Sequence, residues 1–453
     1  MTESLIKSIA RVFYERIPDY IRLGKPYRIQ REFLKKSRKW SCDEVSIWQL
    51  EKIKNIVMSA YNETEYYKYL FDANGIKPRE IKTFEDYSEI PFLTREIIQE
   101  NAKLLISKKY AGYNIYESRT SGSSGVPLSV YFLKKEASSI DEAFVHDIWS
   151  KFGFKNNKKH VHIRGYDVEE GVVQKIGMNL YLSSYHLTEK NMPKYIDEIL
   201  KFEPSYIQAY PSSLSMLSLY MKENSIQPFP SVKLVMCSSE ILMPFQRKLI
   251  TEVLQVPLCN LYGNTEHSVI GSNCKISDYF HLYPEYGYVE LINSDGKECT
   301  IDGEVGEIVT TSLINPVFPL IRYRTGDMAV HTNRECSCGW NYRLFKEIEG
   351  RERGYFISKG GEKISIAIVN THSDMYDHVH QFQFYQKTPG KVVMNIVPKE
   401  NFNSKDRERI LMELSKKLES KVEVNIEMVN SIKISGRGKH CFLIQELDVT
   451  KYG

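Results

Sequence analysis

From about residue 115 this chain of 453 residues alternates short β-rich runs with longer helical stretches, and that alternation limits its fold more than any other feature. Leu128–Phe132, His160–Arg164, Tyr206–Ala209 and Val232–Cys237 are strand-like runs separated by helix-length segments, with Pro, Gly and Ser at the joints. The pattern predicts an α/β fold built of βα units on a largely parallel sheet. Between 282 and 330 the runs close up: Tyr288–Ile292 and Glu307–Thr311 flank the turn pairs Asp295-Gly296 and Asp302-Gly303, which predicts a β-rich subdomain of hairpins. The start, about 1–110, reads as helical, because Ile6, Ile9, Phe13 and Ile17 recur at helical spacing, as do Leu50, Ile53, Val57 and Tyr61. After the glycines at 350, 354, 360 and 361 comes a last block with Val392–Val397, a helix over Asp406–Leu418, Val422–Met428 and Cys441–Gln445. These divide the chain into a large domain, 1–350, and a small α+β domain, 351–453.

Composition narrows the function. Lys and Arg number 61 against 57 Asp and Glu, a net charge of +4, too little overall for a nucleic-acid protein. No apolar run approaches the ~18 residues of a membrane span, and MTESLIKSIARVFYERIP lacks the apolar core and cleavage site of a signal peptide. Eight cysteines scattered over so long a chain do not form a disulfide framework, so a cytoplasmic protein is expected. The first helix is basic and amphipathic and would suit an anionic membrane surface, although packing on its own domain or on a second subunit is the commoner use of such a face.

Five stretches carry chemistry. Thr120-Ser121-Gly122-Ser123-Ser124-Gly125-Val126-Pro127 joins glycines that free backbone N–H groups with hydroxyl donors, a loop suited to phosphate but equally a surface linker. It is not a Walker A loop, since no Gly-Lys-Ser/Thr follows. Strand-like flanks at Tyr116 and Leu128–Phe132 favour phosphate. In Leu261-Tyr262-Gly263-Asn264-Thr265-Glu266 a ring can stack on a base and a carboxylate can hold Mg²⁺; a glycine turn leaving a buried strand explains it as well. Ile321-Arg322-Tyr323-Arg324-Thr325-Gly326-Asp327 sets a carboxylate after a turn, where it can accept from ribose hydroxyls. Gly350-Arg351-Glu352-Arg353-Gly354, followed by Ser358–Ile364, is the fourth, and Ser435-Gly436-Arg437-Gly438-Lys439 the fifth. Singly, each also fits a solvated turn.

In order and spacing the five resemble the motifs of the acyl-adenylate-forming superfamily over roughly residues 80–445, most of all its phenylacetate–CoA ligase branch with the CapK-like proteins. The resemblance implies a small mobile C-terminal domain and a two-step reaction. A small carboxylic acid attacks the α-phosphate of ATP, giving acyl-AMP and pyrophosphate; an acceptor then takes the acyl group. That acceptor is CoA, or alternatively an amine or hydroxyl on a sugar or carrier protein. By motif, Thr120, Ser121, Gly122, Ser123, Ser124 and Gly125 hold the β- and γ-phosphates, Tyr262 and Gly263 line the adenine pocket with Glu240, and Thr265 reaches the α-phosphate. Glu266 holds Mg²⁺, Asp327 takes the ribose hydroxyls with Arg351, and Lys439 neutralises charge developing at the α-phosphate. Arg353 stands at the hinge, where relatives carry Asp or Lys. Val126 replaces a common lysine, and only Glu240 of Cys237-Ser238-Ser239-Glu240 matches a Gly-Ala-Glu segment. A nucleotide-binding scaffold without catalysis is the rival class, and the presence of both Glu266 and Lys439 argues against it. A homodimer through the N-terminal helices is a further expectation of the resemblance.

Cysteine placement adds a metal. Cys336-Ser337-Cys338-Gly339 puts two thiols within reach of one ion, and Cys274 with His281 completes a Cys₃His set for a closed structural zinc site. Buried free thiols beside a surface histidine are the alternative. Tyr131, Tyr185, Tyr210 and Pro211 are expected in the acyl pocket; His267, next to Glu266, fits either a place facing the acyl group or an ordinary histidine bonded to solvent or backbone. His372, His378 and His380 read as a solvated face.

Overall fold

The computed structural model describes residues 14, 17–119, 128–165, 172–351, 355–369, 374–376, 378–433 and 441–452. Ile6, Ile9 and Phe13 of the first predicted helix, Thr120–Gly125, Arg353, His372 and Lys439 therefore lie outside the described residues, as does the side chain of Arg351. The chain divides into two compact units, one of 14–157 with 259–348 and the other of 158–258 with 349–453.

Helices build the start of the first unit, as the periodicity predicts: α1 (Gly24–Ser37), α2 (Cys42–Glu63) and α3 (Glu65–Asn74). Ser41 opens α2 with a reciprocal capping box to Glu44, and Thr64 caps α3, which Gly75 closes in a left-handed turn at φ 65°. Ile53 and Val57 of the predicted stripe are fully buried with Tyr67, Phe71 and Tyr87. Two strands, β1 (Ile115–Arg119) and β2 (Ser129–Leu133), pair antiparallel with Arg119 opposite Ser129, so strands flank the predicted phosphate loop on both sides. Helix α4 (Glu136–Lys151) follows.

The second unit contains the βα repeat. Strands β3 (His160–Arg164), β4 (Val173–Ile176) and β5 (Asn179–Ser183), helix α5 (Met192–Phe202), β6 (Tyr206–Ala209), α6 (Pro211–Glu223), β7 (Leu234–Ser238) and α7 (Pro244–Leu254) succeed one another. Strands β5, β3, β6 and β7 run parallel in that order, with β4 antiparallel at the edge. Their buried residues Val161, Ile163, Leu180, Leu182, Ile207 and Val235 join Ile196, Ile199, Leu214, Leu217 and Ile250 of α5, α6 and α7 in one core.

Back in the first unit the connections shorten and the strands pair antiparallel. Strands β8 (Leu258–Gly263), β9 (Ile270–Ser272), β10 (Phe280–Leu282), β11 (Gly287–Ile292), β12 (Val305–Ser312), β13 (Tyr323–His331) and β14 (Leu344–Arg351) lie in the order β11-β12-β13-β14-β10-β9-β8. The predicted hairpin is the antiparallel β11–β12 pair. Expectation and structure part over β9 and β10, three residues each, which are too short to show a period. Gly271 lets them approach: a Cβ there would lie 2.7 Å from the His281 carbonyl oxygen, so no larger residue fits.

The C-terminal block of the second unit holds the pair β15 (Tyr355–Ile357) and β16 (Lys363–Ser365), then β17 (Val379–Thr388), β18 (Lys391–Pro398), α8 (Ser404–Lys417), β19 (Glu423–Met428) and β20 (Leu443–Gln445). The last four strands form a sheet ordered β19-β18-β17-β20, over which α8 buries Ile410 and Leu414. Among the described residues no helix is long and apolar enough to cross a membrane.

Candidate functional site

In the first unit two of the predicted motifs meet. Strand β8 ends at Tyr262-Gly263, and the Tyr262 hydroxyl donates to Asp327 Oδ2 on β13 at 2.8 Å. A register shift in the β12–β13 ladder between Glu307 and Val309 makes room for the turn before that carboxylate. Gly326 sits there at φ 74°, a left-handed conformation suited to glycine. Glu307 holds the turn, accepting from Gly326 N at 3.0 Å and from Arg324 Nε at 2.6 Å, while the Thr325 hydroxyl donates to the Ile308 carbonyl and accepts from Asp327 N. Arg322 anchors the other end of the motif. Buried and left-handed at φ 49°, it forks onto Glu290 at 2.9 and 3.1 Å and also donates to the Ser88 and Ile90 carbonyls.

Beyond Gly263 the chain turns through Asn264, whose side chain accepts from Ser268 N at 2.9 Å. Thr265 is half-buried in this turn and Glu266 fully buried, with Oε1 accepting from the Tyr323 hydroxyl at 3.1 Å. His267 is left-handed at φ 51°, and its ring lies 4.6 Å from that of Phe132 on β2. Tyr131 is half-buried one residue away, and the Asn315 side chain donates to its carbonyl.

The remaining predicted residues belong to the second unit. Tyr210-Pro211 opens α6, both buried, and the Arg164 guanidinium stands 5.5 Å over the Tyr210 ring while bonding the Ser238 hydroxyl. Glu240 Oε2 accepts from Ser212 N at 3.1 Å, placing a carboxylate at the α6 N-terminus, where the helix dipole favours it. Tyr185 is half-buried in a short turn after β5, and Arg351 is the last residue of β14. His378 and His380, expected on a solvated face, pair with Asp406 at 2.9 Å and Glu189 at 3.4 Å.

The four predicted metal ligands converge in the first unit. Their donor atoms all lie within 4.8 Å of one another, with Cys274 Sγ 3.6 Å from Cys336 Sγ, and Cys338 Sγ 3.8 Å from His281 Nε2. Cys274 follows β9, His281 is on β10, and the other two lie between β13 and β14. Ile276 N and Ser277 N donate to Cys274 Sγ at 3.3 and 3.2 Å, a polarised setting for a thiolate. Burial lowers the His281 pKa to about 4 with help from nearby Lys151, so the ring stays neutral and offers a lone pair. Burial also pushes the Cys338 thiol up to about 12 when no cation is present.

Sequence reasoning missed what surrounds the cluster. Lys151, the last residue of α4, is buried with its Nζ 3.5 Å from the centre of the Trp340 ring, 4.4 Å from Tyr283 and 4.9 Å from Tyr342. Trp340 in turn stacks edge-on against His281 at 4.9 Å. Asp147, buried one turn earlier, stands 3.6 Å from Lys151 and accepts from Arg31, Arg38 and the Tyr283 hydroxyl at 2.8, 2.6 and 2.8 Å. Burial lowers the Lys151 pKa to about 8 against the pull of Asp147. Asp147→Ala is expected to destabilise the protein by about 3–5 kcal/mol in denaturant titration, because it strands a buried cation. The only signal in the sequence was an i,i+4 acid–base pair on a helix, which reads as a solvated ion pair. Tyr323 and Glu307 were likewise in view, as a motif member and a strand residue, without a role.

Comparisons with known proteins agree with this architecture. Residues 356–446 match the family model of the CapK C-terminal domain. Protein CapK of Staphylococcus aureus is 22% identical over 426 residues, covering 90% of each chain. A phenylacetate-coenzyme A ligase of Thermus thermophilus is 25% identical over 326 residues, 69% of this chain and 71% of that one. A 2-hydroxyisobutyryl-CoA ligase solved with an acyl-AMP in its postadenylation state shares the fold, with a TM-score of 0.72 at 18% identity over 92% of this chain and 93% of its own. Over most of its length the chain is therefore similar to phenylacetate–CoA ligases and to CapK, and it shares the fold of an acyl-CoA ligase.

Proposed function

We propose that this protein activates a carboxylic acid with ATP, forming acyl-AMP and releasing pyrophosphate, and then passes the acyl group to CoA. The observation that carries the reading is the bond from Tyr262 to Asp327: residues 65 apart in the chain meet at 2.8 Å, which supports their sharing one nucleoside site. Asp327 would accept from the ribose hydroxyls with Arg351 assisting, and Tyr262 and Gly263 would face adenine along with Glu240. Thr265 would donate to the α-phosphate, and the Thr120–Gly125 loop would hold the leaving pyrophosphate. Lys439 would balance charge on the α-phosphate as the carboxylate attacks.

Glu266 suits Mg²⁺, since it is a buried carboxylate with Oε1 already oriented by Tyr323. The ion would neutralise phosphate charge there. Tyr131, Tyr185, Tyr210, Pro211 and His267 are proposed for the acid pocket. The boundary at 350/351 and the hinge at Arg353 belong to the same reading, with the C-terminal domain turning between half-reactions. So does a cytoplasmic setting, which keeps the cysteines reduced; among the described residues all eight are free.

The Cys274, His281, Cys336 and Cys338 set fits structural zinc. Bonds of about 2.3 Å in a tetrahedron give ligand–ligand edges of about 3.8 Å, and the observed 3.6 and 3.8 Å edges agree. Four protein ligands leave no open position for substrate.

Pyrophosphate release across a panel of carboxylic acids, with and without CoA, tests the function. The expected result is acid-dependent release and a thioester only when CoA is added. The acceptor is the part of the reading that rests on the C-terminal block, whose family match is CapK. Acid-dependent release that never yields thioester would transfer the second step to an amine or hydroxyl acceptor.

A further inference from the structure

Helix α1 turns toward solvent a row of side chains three and four residues apart: Lys25, Arg28, Ile29, Glu32, Lys35 and Lys36 are all exposed. Its other face is committed to the unit. Tyr27 and Leu34 are buried, Tyr27 shares a hydrogen bond with His146 Nδ1 at 2.9 Å, and Arg31 donates to Asp147 at 2.8 Å. The exposed row is therefore held in one orientation by contacts that leave it free.

Its charge is concentrated. Four cations and one carboxylate give this single helix face nearly the net charge of the entire chain, +4, and the carboxylate, Glu32, is already bonded to Lys35 at 2.6 Å. Ile29 lies in the middle of the row and is 58% exposed. On the short helix Asp19–Arg22 that leads into α1, Tyr20 and Ile21 are 54% and 56% exposed.

We propose that this face docks the protein on an anionic lipid surface. Ammonium and guanidinium groups would meet headgroup phosphates while isoleucine and tyrosine sink to the acyl boundary, the arrangement that an interfacial helix uses. A nucleic acid would use the cations but gain nothing from exposed isoleucines. A second copy joined by a two-fold axis would set this face against itself, cation against cation.

The test is sedimentation of the full chain with vesicles of phosphatidylcholine alone or mixed with phosphatidylglycerol. Binding is expected only to the anionic vesicles, and it should fade toward 1 M salt, as the screening length shrinks from about 10 Å to about 3 Å. Each cation near such a surface strengthens partitioning about fivefold. The combined variant Lys25→Gln, Arg28→Gln, Lys35→Gln, Lys36→Gln should thus lose about a hundredfold or more, with pyrophosphate release in solution unchanged. Ile21→Ser with Ile29→Ser should weaken vesicle binding too. Equal binding to neutral vesicles, or wild-type binding by both variants, would overturn the proposal. So would duplex DNA binding that ignores the isoleucines, or a dimer that the charge variant abolishes.

Discussion

Replacing Lys439 with alanine is expected to slow acyl-AMP formation by about 10²–10³-fold, the cost of removing one fixed group that stabilises charge in a transition state. The second half-reaction should be spared. If thioester formation is started from preformed acyl-AMP and CoA, Lys439→Ala should run near the wild-type rate, because no charge then builds on the α-phosphate from an attacking carboxylate. That split distinguishes a catalytic cation from one that supports the fold, whose loss would lower both steps together. Lys439→Arg should recover only part of the rate, since a planar guanidinium does not reproduce a compact ammonium on a flexible stem. Position 439 precedes β20 in the sequence, and β20 pairs with β17 in a sheet whose core includes Phe384, Met394 and Ile396. Unchanged adenylation in Lys439→Ala would sink the proposed mechanism and favour a nucleotide-binding scaffold.

What the sequence disclosed, and what it hid, follow from range. The bounds of β3 and β6 coincide with the predicted runs because each carries β-branched residues, Val161 and Ile163 or Ile207, and is bounded by Gly165 or by Ser205 and Pro211, signals local to a few residues. The motifs proposed for the nucleoside were legible for a similar reason: each is contiguous, and their order along the chain carried the resemblance. Hidden were the contacts between distant segments. Nothing local marks Glu307 as the residue that holds Gly326 and Arg324, or Tyr323 as the donor to Glu266. Lys151 was hidden more deeply, since its partners Tyr283, Trp340 and Tyr342 lie more than a hundred residues away and only the fold brings aromatic rings around a helix-end lysine. The group of Cys274, His281, Cys336 and Cys338 is the exception that shows the rule. Its members also come from distant segments, yet thiols and imidazole at ligand spacing are rare enough to be read together.

Removing the metal should give the largest stability effect. Strands β9 and β10 have three residues each, below the length at which a strand pair is stable by itself, and the segment between β13 and β14 that carries Cys336 and Cys338 has little regular structure. Four ligands from three such segments would make a bound ion the local core. Its loss would also free Trp340 from His281 and open the aromatic cage around Lys151, exposing the buried Asp147–Lys151 network to water. With free zinc about 1,000-fold above its dissociation constant, binding stabilises the folded state by about 4 kcal/mol. For a unit of this size that corresponds to roughly 10 °C in Tm. Cys338→Ser, or exhaustive chelation of the wild type, is accordingly expected to abolish stoichiometric zinc in metal analysis and to lower Tm by about that amount. Below the new melting point, adenylation should persist, because a closed four-ligand site has no position for ATP or acid. Substoichiometric zinc in the wild type, with melting unaffected by chelation, would refute the site, whereas adenylation that vanishes at temperatures where the variant is still folded would make the metal catalytic.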